Sequence, residues 1–289
     1  MTRVREAVAA LAHRFAAVSD SATLDAELLL AEVAGTSRAA LAADPERALS
    51  PAQVDRLEAL AGRRQRGEPV AYLTGRREFW SLELAVTPAV LVPRPETELL
   101  VELGLAAIAG IARPSVLDLG TGSGAIALAI ARERPDAAVT AVDVGAGALA
   151  VAAGNASRLG IGNIRFLRGS WFGPVAGERF DLVAANPPYL AAEDPALAAL
   201  AHEPRAALVA GPTGLEALAE ICAGAPAALA PGGVLVAEHG AGQGEAVRTL
   251  MARAGLGGIA THCDLARFER VTQGRMAPDT LESASGRRE

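Results

Sequence analysis

The chain has 289 residues, 51% hydrophobic and 21% charged, enough apolar content for a sizeable core and too much for a disordered protein. Its 27 basic and 33 acidic residues leave a formal charge of −6, a poor footprint for binding that depends on neutralising phosphates. The basic runs Arg63-Arg64-Gln65-Arg66 and Arg76-Arg77 therefore read first as solvated faces, with a local basic patch as the alternative. Cys222 and Cys263 have no metal-ligand spacing, and the four histidines are scattered, so two free thiols and no metal site are expected. The opening Met1-Thr2-Arg3 leads into an amphipathic pattern rather than a signal peptide, and no apolar run reaches membrane-spanning length. The expected location is the cytoplasm.

In chain order, the first 75 residues predict helices only: Arg3 to Ala17, Asp20 to Ala34, Arg38 to Ala43, and Pro51 to Arg66. Ser50 is placed to cap the last of these, with Pro51 at its first position and Gly67 as its stop. In the second helix Leu24, Leu28 and Val33 are the candidate apolar positions, and Gly35 ends it. Between Tyr72 and Val92 the apolar residues Phe79, Trp80, Leu82, Leu84 and Val86 are spaced as in strands, which predicts a β-hairpin. Pro93-Arg94-Pro95 then opens a helix to about Ala109.

From Ser115 strands and helices alternate. Strands are predicted at 115–119, 138–142, 164–167, 180–184 and 233–238, and helices to Arg134, to Leu159, over 214–229 and over 244–254. Residues 258–263 and 268–273 suggest a terminal antiparallel pair. Repeated strand–helix units imply an α/β protein with a doubly wound parallel sheet and ligands beyond the carboxyl ends of its strands.

The first of these strands runs into Gly120-Thr121-Gly122-Ser123-Gly124, a turn whose glycines let the backbone approach a ligand. Such a turn alone could equally hold a dinucleotide pyrophosphate. Asp118 just before it would repel a pyrophosphate but suits a cationic amino-acid ligand. Asp143 ends the next strand, where a carboxylate either reaches a ribose diol or caps a helix. This arrangement resembles the class I S-adenosylmethionine-dependent methyltransferases. The resemblance implies that the Gly120 to Gly124 loop wraps the methionine part of the cofactor and that Asp143 accepts its ribose hydroxyls. It also implies that Gly169-Ser170-Trp171-Phe172 flanks the adenine, with Trp171 as a stacking platform; a core aromatic beneath a loop is the alternative for Trp171.

Val183-Ala184-Ala185 leads into Asn186-Pro187-Pro188-Tyr189, the most specific stretch of the chain. Consecutive prolines stiffen the backbone, so the Asn186 carboxamide and the Pro187 carbonyl can point at one spot and accept both hydrogens of a planar NH2 group. That grip would orient the lone pair of a weakly nucleophilic amide or aryl nitrogen and stabilise positive charge developing there. Tyr189 could lie against the acceptor plane. A proline-stiffened turn with no chemistry is the bland alternative.

Asn-Pro-Pro-Tyr also occurs in methyltransferases acting on exocyclic amines of DNA or RNA bases. The other motifs resemble a narrower group. Leu91-Val92-Pro93-Arg94-Pro95-Glu96-Thr97-Glu98, with Glu68 to Gly75 and Phe79 before it, is similar to the HemK/PrmC family of release factor glutamine-N5 methyltransferases. His202 to Leu208, Glu238-His239-Gly240 with Gln243, and Asp264-Leu265 leading to Arg270-Val271 fit the same family, as does Leu24 to Leu30. Gly211-Pro212-Thr213-Gly214 departs from its usual Gly-Gly-x-Asp-Gly run, and Gly145-Ala146-Gly147 is unusually small.

The resemblance implies a helical substrate-docking domain at 1–75, a hairpin linker at 76–93 and a catalytic domain at 94–276, and the polar composition of 277–289 predicts a disordered tail. The catalytic domain would carry an antiparallel C-terminal strand. The implied partner is a peptide chain release factor, methylated on the glutamine of its Gly-Gly-Gln motif, with no direct nucleic-acid or membrane contact. Asn186, Pro187, Pro188 and Tyr189 would bind that glutamine, and Asn186 would also touch the cofactor. Glu203, Glu238 and His239 would either line the cleft or be satisfied locally. Competing expectations are a nucleic-acid amine methyltransferase, a ribosomal-protein glutamine methyltransferase and a non-catalytic cofactor-binding regulator.

Overall fold

A computed structural model describes residues 2–278; of the tail expected to be disordered, 277–289, residues 279–289 lie outside the described part. The chain divides into two compact units. One holds the residues up to Arg76 with Val86–Pro88 and Ala199–His202, and the other holds Arg77–Ala85, Ala89–Ala198 and the chain from Glu203.

The first unit is helical: α1 (Val4–Phe15), α2 (Ala22–Ala34), α3 (Arg38–Ala43), α4 (Pro51–Gln65) and α5 (Val70–Thr74). At the start of α4 the Ser50 hydroxyl accepts from Gln53 N at 3.3 Å, and the Gln53 carboxamide oxygen accepts from Ser50 N at 2.9 Å. This reciprocal cap satisfies two backbone donors that the helix itself leaves open. The buried stripe of α2 is Ala26, Leu29, Leu30 and Val33, whereas Leu24 is exposed, so the apolar face is rotated from the expected one. Those residues pack with Val4, Leu11, Phe15 and Leu57 into one core. Beside it Arg64 Nε meets Asp25 Oδ2 at 2.8 Å, both side chains about nine-tenths buried. Helix α5 replaces the start of the expected strand-like region. One turn opened by Pro69 and closed by Gly75 is too short to leave a helical period in the sequence.

The second unit begins with a hairpin of β1 (Arg76–Phe79) and β2 (Leu82–Ala85). Trp80 and Ser81 both take positive φ, 51° and 57°, as a two-residue turn between twisted strands requires. These are costly angles for side-chain-bearing residues. Trp80 N donates to Glu98 Oε1 at 3.0 Å and its indole Nε1 to Glu133 Oε1 at 3.0 Å, which holds the turn.

The rest is α/β: α6 (Glu98–Ala107), β3 (Ser115–Leu119), α7 (Ala125–Glu133), β4 (Ala138–Asp143), α8 (Ala146–Leu159), β5 (Ile164–Arg168) and β6 (Phe180–Ala185). After them come β7 (Leu190–Ala191), β8 (Val209–Gly211), α9 (Glu216–Ala228), β9 (Leu229–Glu238), α10 (Gly244–Arg253), β10 (Gly257–Cys263) and β11 (Glu269–Arg275). The main sheet has the order β10-β11-β9-β6-β3-β4-β5, with β11 antiparallel to both neighbours and β9 to β5 parallel. Alternation along the strands separates two cores. Val116, Leu182, Ala184 and Val236 pack with residues of α6, α7 and α8, while Leu117, Val183, Ala185 and Leu235 pack with residues of α9 and α10. Near-continuous apolar strands follow from having helices on both faces. The short parallel pair β7–β8 was not foreseen; two or three residues carry no periodic signal.

One buried polar side chain ties this unit together. Asn155 on α8 is fully buried; its Oδ1 accepts from Ala85 N at 2.7 Å, and its Nδ2 donates to the carbonyls of Ala85 at 3.0 Å and Ser123 at 2.9 Å. Asn155→Ala orphans those groups, and we expect a loss of about 3 kcal/mol of unfolding free energy in denaturant titration, since each unsatisfied buried group costs about 1–3 kcal/mol.

Candidate active site

Sheet register lays out the site. Leu119 is paired with Val142 on one side and with Ala185 on the other, and Ala185 is in turn paired with Ala237. The next residue of each strand is Asp143, Gly120, Asn186 and Glu238, so these four form a row along the carboxyl edge of four adjacent parallel strands. A cavity of about 260 Å³ opens there, its wall including Gly120, Thr121, Gly122, Ser123, Asp143, Trp171, Asn186 and Pro188.

The glycine turn is built by its own backbone. Gly120 N and Thr121 N both donate to Val142 O, at 2.9 and 3.0 Å, and Gly120, Gly122 and Gly124 all take positive φ. A side chain at Gly120 would project toward the Trp171 ring, 3.7 Å from its Cζ3. Gly124 lies off the cavity wall. It caps α7, and a Cβ there would come within 2.9 Å of Leu128 Cδ1, so it is required for helix packing rather than for lining the site. Asp143 Oδ2 accepts from Gly122 N at 2.9 Å and Oδ1 from Gly145 N at 2.8 Å. The carboxylate thus braces the glycine turn and the chain entering α8 while facing the cavity, and each oxygen keeps a further lone pair for a ligand hydroxyl.

Asp118 does not face the cavity as the sequence suggested. It is fully buried under the turn, where its Oδ2 accepts from the Thr121 hydroxyl at 2.6 Å and from Ala127 N at 3.2 Å. Its Oδ1 has no partner. Burial pushes this carboxyl up to about 7, with the neighbouring Asp143 charge adding to the effect. Trp171, at φ 42°, borders the cavity with its indole Nε1 donating to Glu220 Oε2 at 2.8 Å.

On the other side of the row, Asn186 Nδ2 donates to the Thr97 hydroxyl at 3.1 Å. Glu238, the last residue of β9, is 1% exposed, and the Thr97 hydroxyl and the Asn186 carboxamide both favour its charged form. Burial raises its carboxyl to about 7. Pro188 lines the cavity, whereas Pro187 is buried and Tyr189 packs half-buried against the core beneath α9. The Tyr189 hydroxyl is pushed up to about 12, by burial first and by the Glu238 charge second. Gln243 fixes this segment: its Nε2 donates to Tyr189 O at 3.0 Å and Gly214 O at 3.1 Å, while its Oε1 accepts from Gly240 N at 2.8 Å.

A further wall comes from Leu91, Pro93, Arg94 and Thr97, which sequence reasoning placed in a linker and at a helix start. Glu203 holds that wall, accepting from Val92 N at 3.1 Å and pairing with Arg94. Its role is therefore local support. The same holds for His239, which is fully buried, bonds Thr272 Oγ1 at 2.9 Å and has its proton affinity lowered by burial. The run Pro93-Arg94-Pro95-Glu96-Thr97 was the available signal for this wall.

The sheet order and the row of residues at its edge define a methyltransferase. Residues 6–75 match the PrmC N-terminal domain and residues 96–212 the methyltransferase small domain. The chain is 49% identical over 262 residues to a release factor glutamine methyltransferase of Salmonella typhimurium, covering 90% of this chain and 94% of the relative. A release factor glutamine methyltransferase of Yersinia pestis is 51% identical over 262 residues, with the same coverage. A 16S rRNA methyltransferase structure from T. thermophilus shares the fold, with TM-score 0.53 and 20% identity over 70% of this chain and 49% of that one. The chain belongs to the release factor glutamine methyltransferase family.

Asp118 also sets a pH dependence. Its folded carboxyl holds a proton up to about 7, whereas its ordinary value is 3.8, so the native state binds more protons than the unfolded chain between those values. Its contribution to stability is complete below the ordinary value and is lost as pH rises through about 7, at a slope near 1.4 kcal/mol per pH unit for one such group. Asp118→Asn should flatten the fall in unfolding free energy between pH 5 and about 7. An unchanged slope would mean that Asp118 does not titrate there.

Proposed function

We propose that this chain transfers a methyl group from S-adenosylmethionine to the side-chain amide nitrogen of the glutamine in the Gly-Gly-Gln motif of a peptide chain release factor. The observation that carries this reading is the single cavity bounded by Gly120 to Ser123 and Asp143 at one side and by Asn186 at the other. The backbone of Gly120 to Ser123 offers close approach to an amino-acid group. Asp143 offers acceptor lone pairs to vicinal hydroxyls, and Trp171 offers an aromatic face. These are the contacts a methionine tail, a ribose and an adenine require.

Bound S-adenosylmethionine supplies an electrophilic methyl group whose C–S electron pair leaves with sulfur as the new C–N bond forms. The protein's part is positioning and electrostatics. Asn186 Nδ2 is engaged by Thr97, which leaves its Oδ1 to accept an N–H of the entering amide. The Pro187 carbonyl is the second acceptor in this proposal. Gripping both hydrogens aims the nitrogen lone pair and stabilises the positive charge that grows on it. The second N–H proton then leaves to water. Tyr189 keeps its hydroxyl protonated, and its backbone carbonyl, held by Gln243, fixes the segment behind Asn186.

Residues 1–75 would serve as the docking domain for the release factor, 76–93 as the linker and 94–276 as the catalytic domain. The acidic chain has no evident nucleic-acid footprint, and among the described residues no helix is long and apolar enough to cross a membrane. Release factors work with ribosomes, so the proposed location is the cytoplasm.

The test is incubation with S-adenosylmethionine and purified release factor, followed by peptide mass spectrometry. We expect one methyl group on the glutamine of Gly-Gly-Gln; methylation of RNA or DNA alone would sink the proposal. Asn186→Ala should lower kcat about a hundredfold or more while leaving the cofactor Kd within about twofold. Asp143→Ala should do the reverse, weakening cofactor binding by about tenfold or more in calorimetry, as loss of charge-assisted hydrogen bonds predicts.

A further inference from the structure

Glu238 is a buried acid with no role in the chemistry described above, and its surroundings are specific. It is the last residue of β9, one step beyond Ala237, which is paired with Ala185, so it stands beside Asn186 where both strands leave the sheet. Glu238 is 1% exposed and Thr97 4% exposed, so water does not compete for either group. Asn186 Nδ2 donates to Thr97 Oγ1 at 3.1 Å, and both the Thr97 hydroxyl and the Asn186 carboxamide favour the charged form of Glu238. Glu238 Oε2 has no hydrogen-bond partner.

We propose that Glu238, acting with Thr97, is a positioning residue that locks the Asn186 carboxamide with its nitrogen inward and its oxygen toward the cleft. The inference rests on the assignment of Asn186 as the group that receives the substrate amide. An ionised carboxylate has acceptors and no donor. Turning Asn186 over would set its oxygen against those acceptors and leave the Thr97 hydroxyl facing two competing acceptors. A glutamine at position 238 could present an acceptor in the same place without the cost of burying a charge, but it could also flip with Asn186 and satisfy the reversed arrangement. Only the carboxylate discriminates between the two orientations. Its charge also lies behind the atom that must hold a nitrogen becoming positive.

The charged and titratable groups that face Glu238 come from three other elements. Arg270 on β11 favours its ionisation, and Glu96 in the turn before α6 opposes it. Tyr189, in the segment after β6, carries a hydroxyl that stays neutral. His239, next along the chain, has its proton affinity lowered by burial. Burial dominates and puts the carboxyl near 7, so ionisation and the lock it provides come in across neutral pH.

The experiment uses the full-length protein with release factor and S-adenosylmethionine, measuring kcat, both KM values and their pH dependence from 5.5 to 9. Wild type should show an acid limb in kcat that rises toward neutral pH. Glu238→Gln should lose that limb and lower the plateau by about 10- to 100-fold, the usual range for a misplaced reacting group, with the KM for S-adenosylmethionine within about twofold. Thr97→Val should lower kcat similarly, and Thr97→Ser, which restores the hydroxyl, should recover most of it. An unchanged plateau and acid limb in Glu238→Gln would overturn the proposal. So would a Thr97→Ser rate as low as that of Thr97→Val, because the hydroxyl would then be irrelevant. If Glu238→Gln fails to fold, the Thr97 pair still decides. Wild-type protein that methylates no release factor would instead refute the assigned function, a result distinct from either of these.

Discussion

The site depends on register in the middle of the sheet. Pairing of Leu119 with Val142 and Ala185, and of Ala185 with Ala237, brings four strand ends to one level. Asp143, Gly120, Asn186 and Glu238 then leave the sheet side by side, although 118 positions separate the first of them in sequence from the last. Parallel pairing makes this possible because every strand in the row ends on the same edge. A one-residue slip of β6 would turn Asn186 toward the opposite face and exchange its two layers of buried residues. Apolar alternation in β3, β6 and β9, packed by helices on both faces, opposes such a slip.

Behind this row lies a second layer of polar groups that the cavity does not expose. Asp118 holds the glycine turn through Thr121 and Ala127, Glu203 holds the Leu91 to Thr97 wall, and Gln243 holds the segment after Pro188. Each contacts backbone or a hydroxyl beneath a residue that faces the cavity. The energetic logic is that of preorganisation: groups fixed by their own hydrogen bonds need no rearrangement when a charge develops beside them. Burying Asp118 and Glu238 opposes stability at neutral pH, a cost that apolar packing of the sheet must offset.

The sequence made the first layer legible and the second largely illegible, for a physical reason. Residues that line the cavity sit in runs with unusual backbone demands, such as three glycines in five residues or two consecutive prolines after an apolar strand. Those demands leave local marks. Asp118 appeared as a ligand-facing carboxylate because its position in the strand is visible, but its depth below the turn is not. Asn155 left no mark at all, since its partners Ala85 and Ser123 are 70 and 32 positions away. The Pro93 to Thr97 run was recognisable as a motif while its place on the cavity wall was not. Strand and helix bounds in the α/β region came within a few residues of those observed because parallel sheets are built from apolar runs broken by turns. The one-turn α5 and the two short strands β7 and β8 are below the length at which a period can be read.

Electrostatics bear on an alternative that the glycine turn left open. A turn of that shape suits a dinucleotide pyrophosphate as readily as an amino acid. Here Asp143 faces the cavity from one end of the row, Glu238 stands behind the other, and Asp118 lies under the turn between them. An approaching pyrophosphate would meet this acidic edge. Arg94, the cation on the wall, is engaged by Glu203. A sulfonium cation would find the same edge favourable, and more so in a cleft shielded from water than at an open surface. The acidity also fits the proposal that one edge serves two partners. Carboxylates and carbonyl oxygens accept hydrogen bonds and disfavour anions, so they suit both a cationic methyl donor and an NH2 group with two hydrogens to give. A carboxylate side chain in place of that amide would bring neither hydrogens nor a compatible charge, so in the proposed function the same row of groups would discriminate glutamine from glutamate.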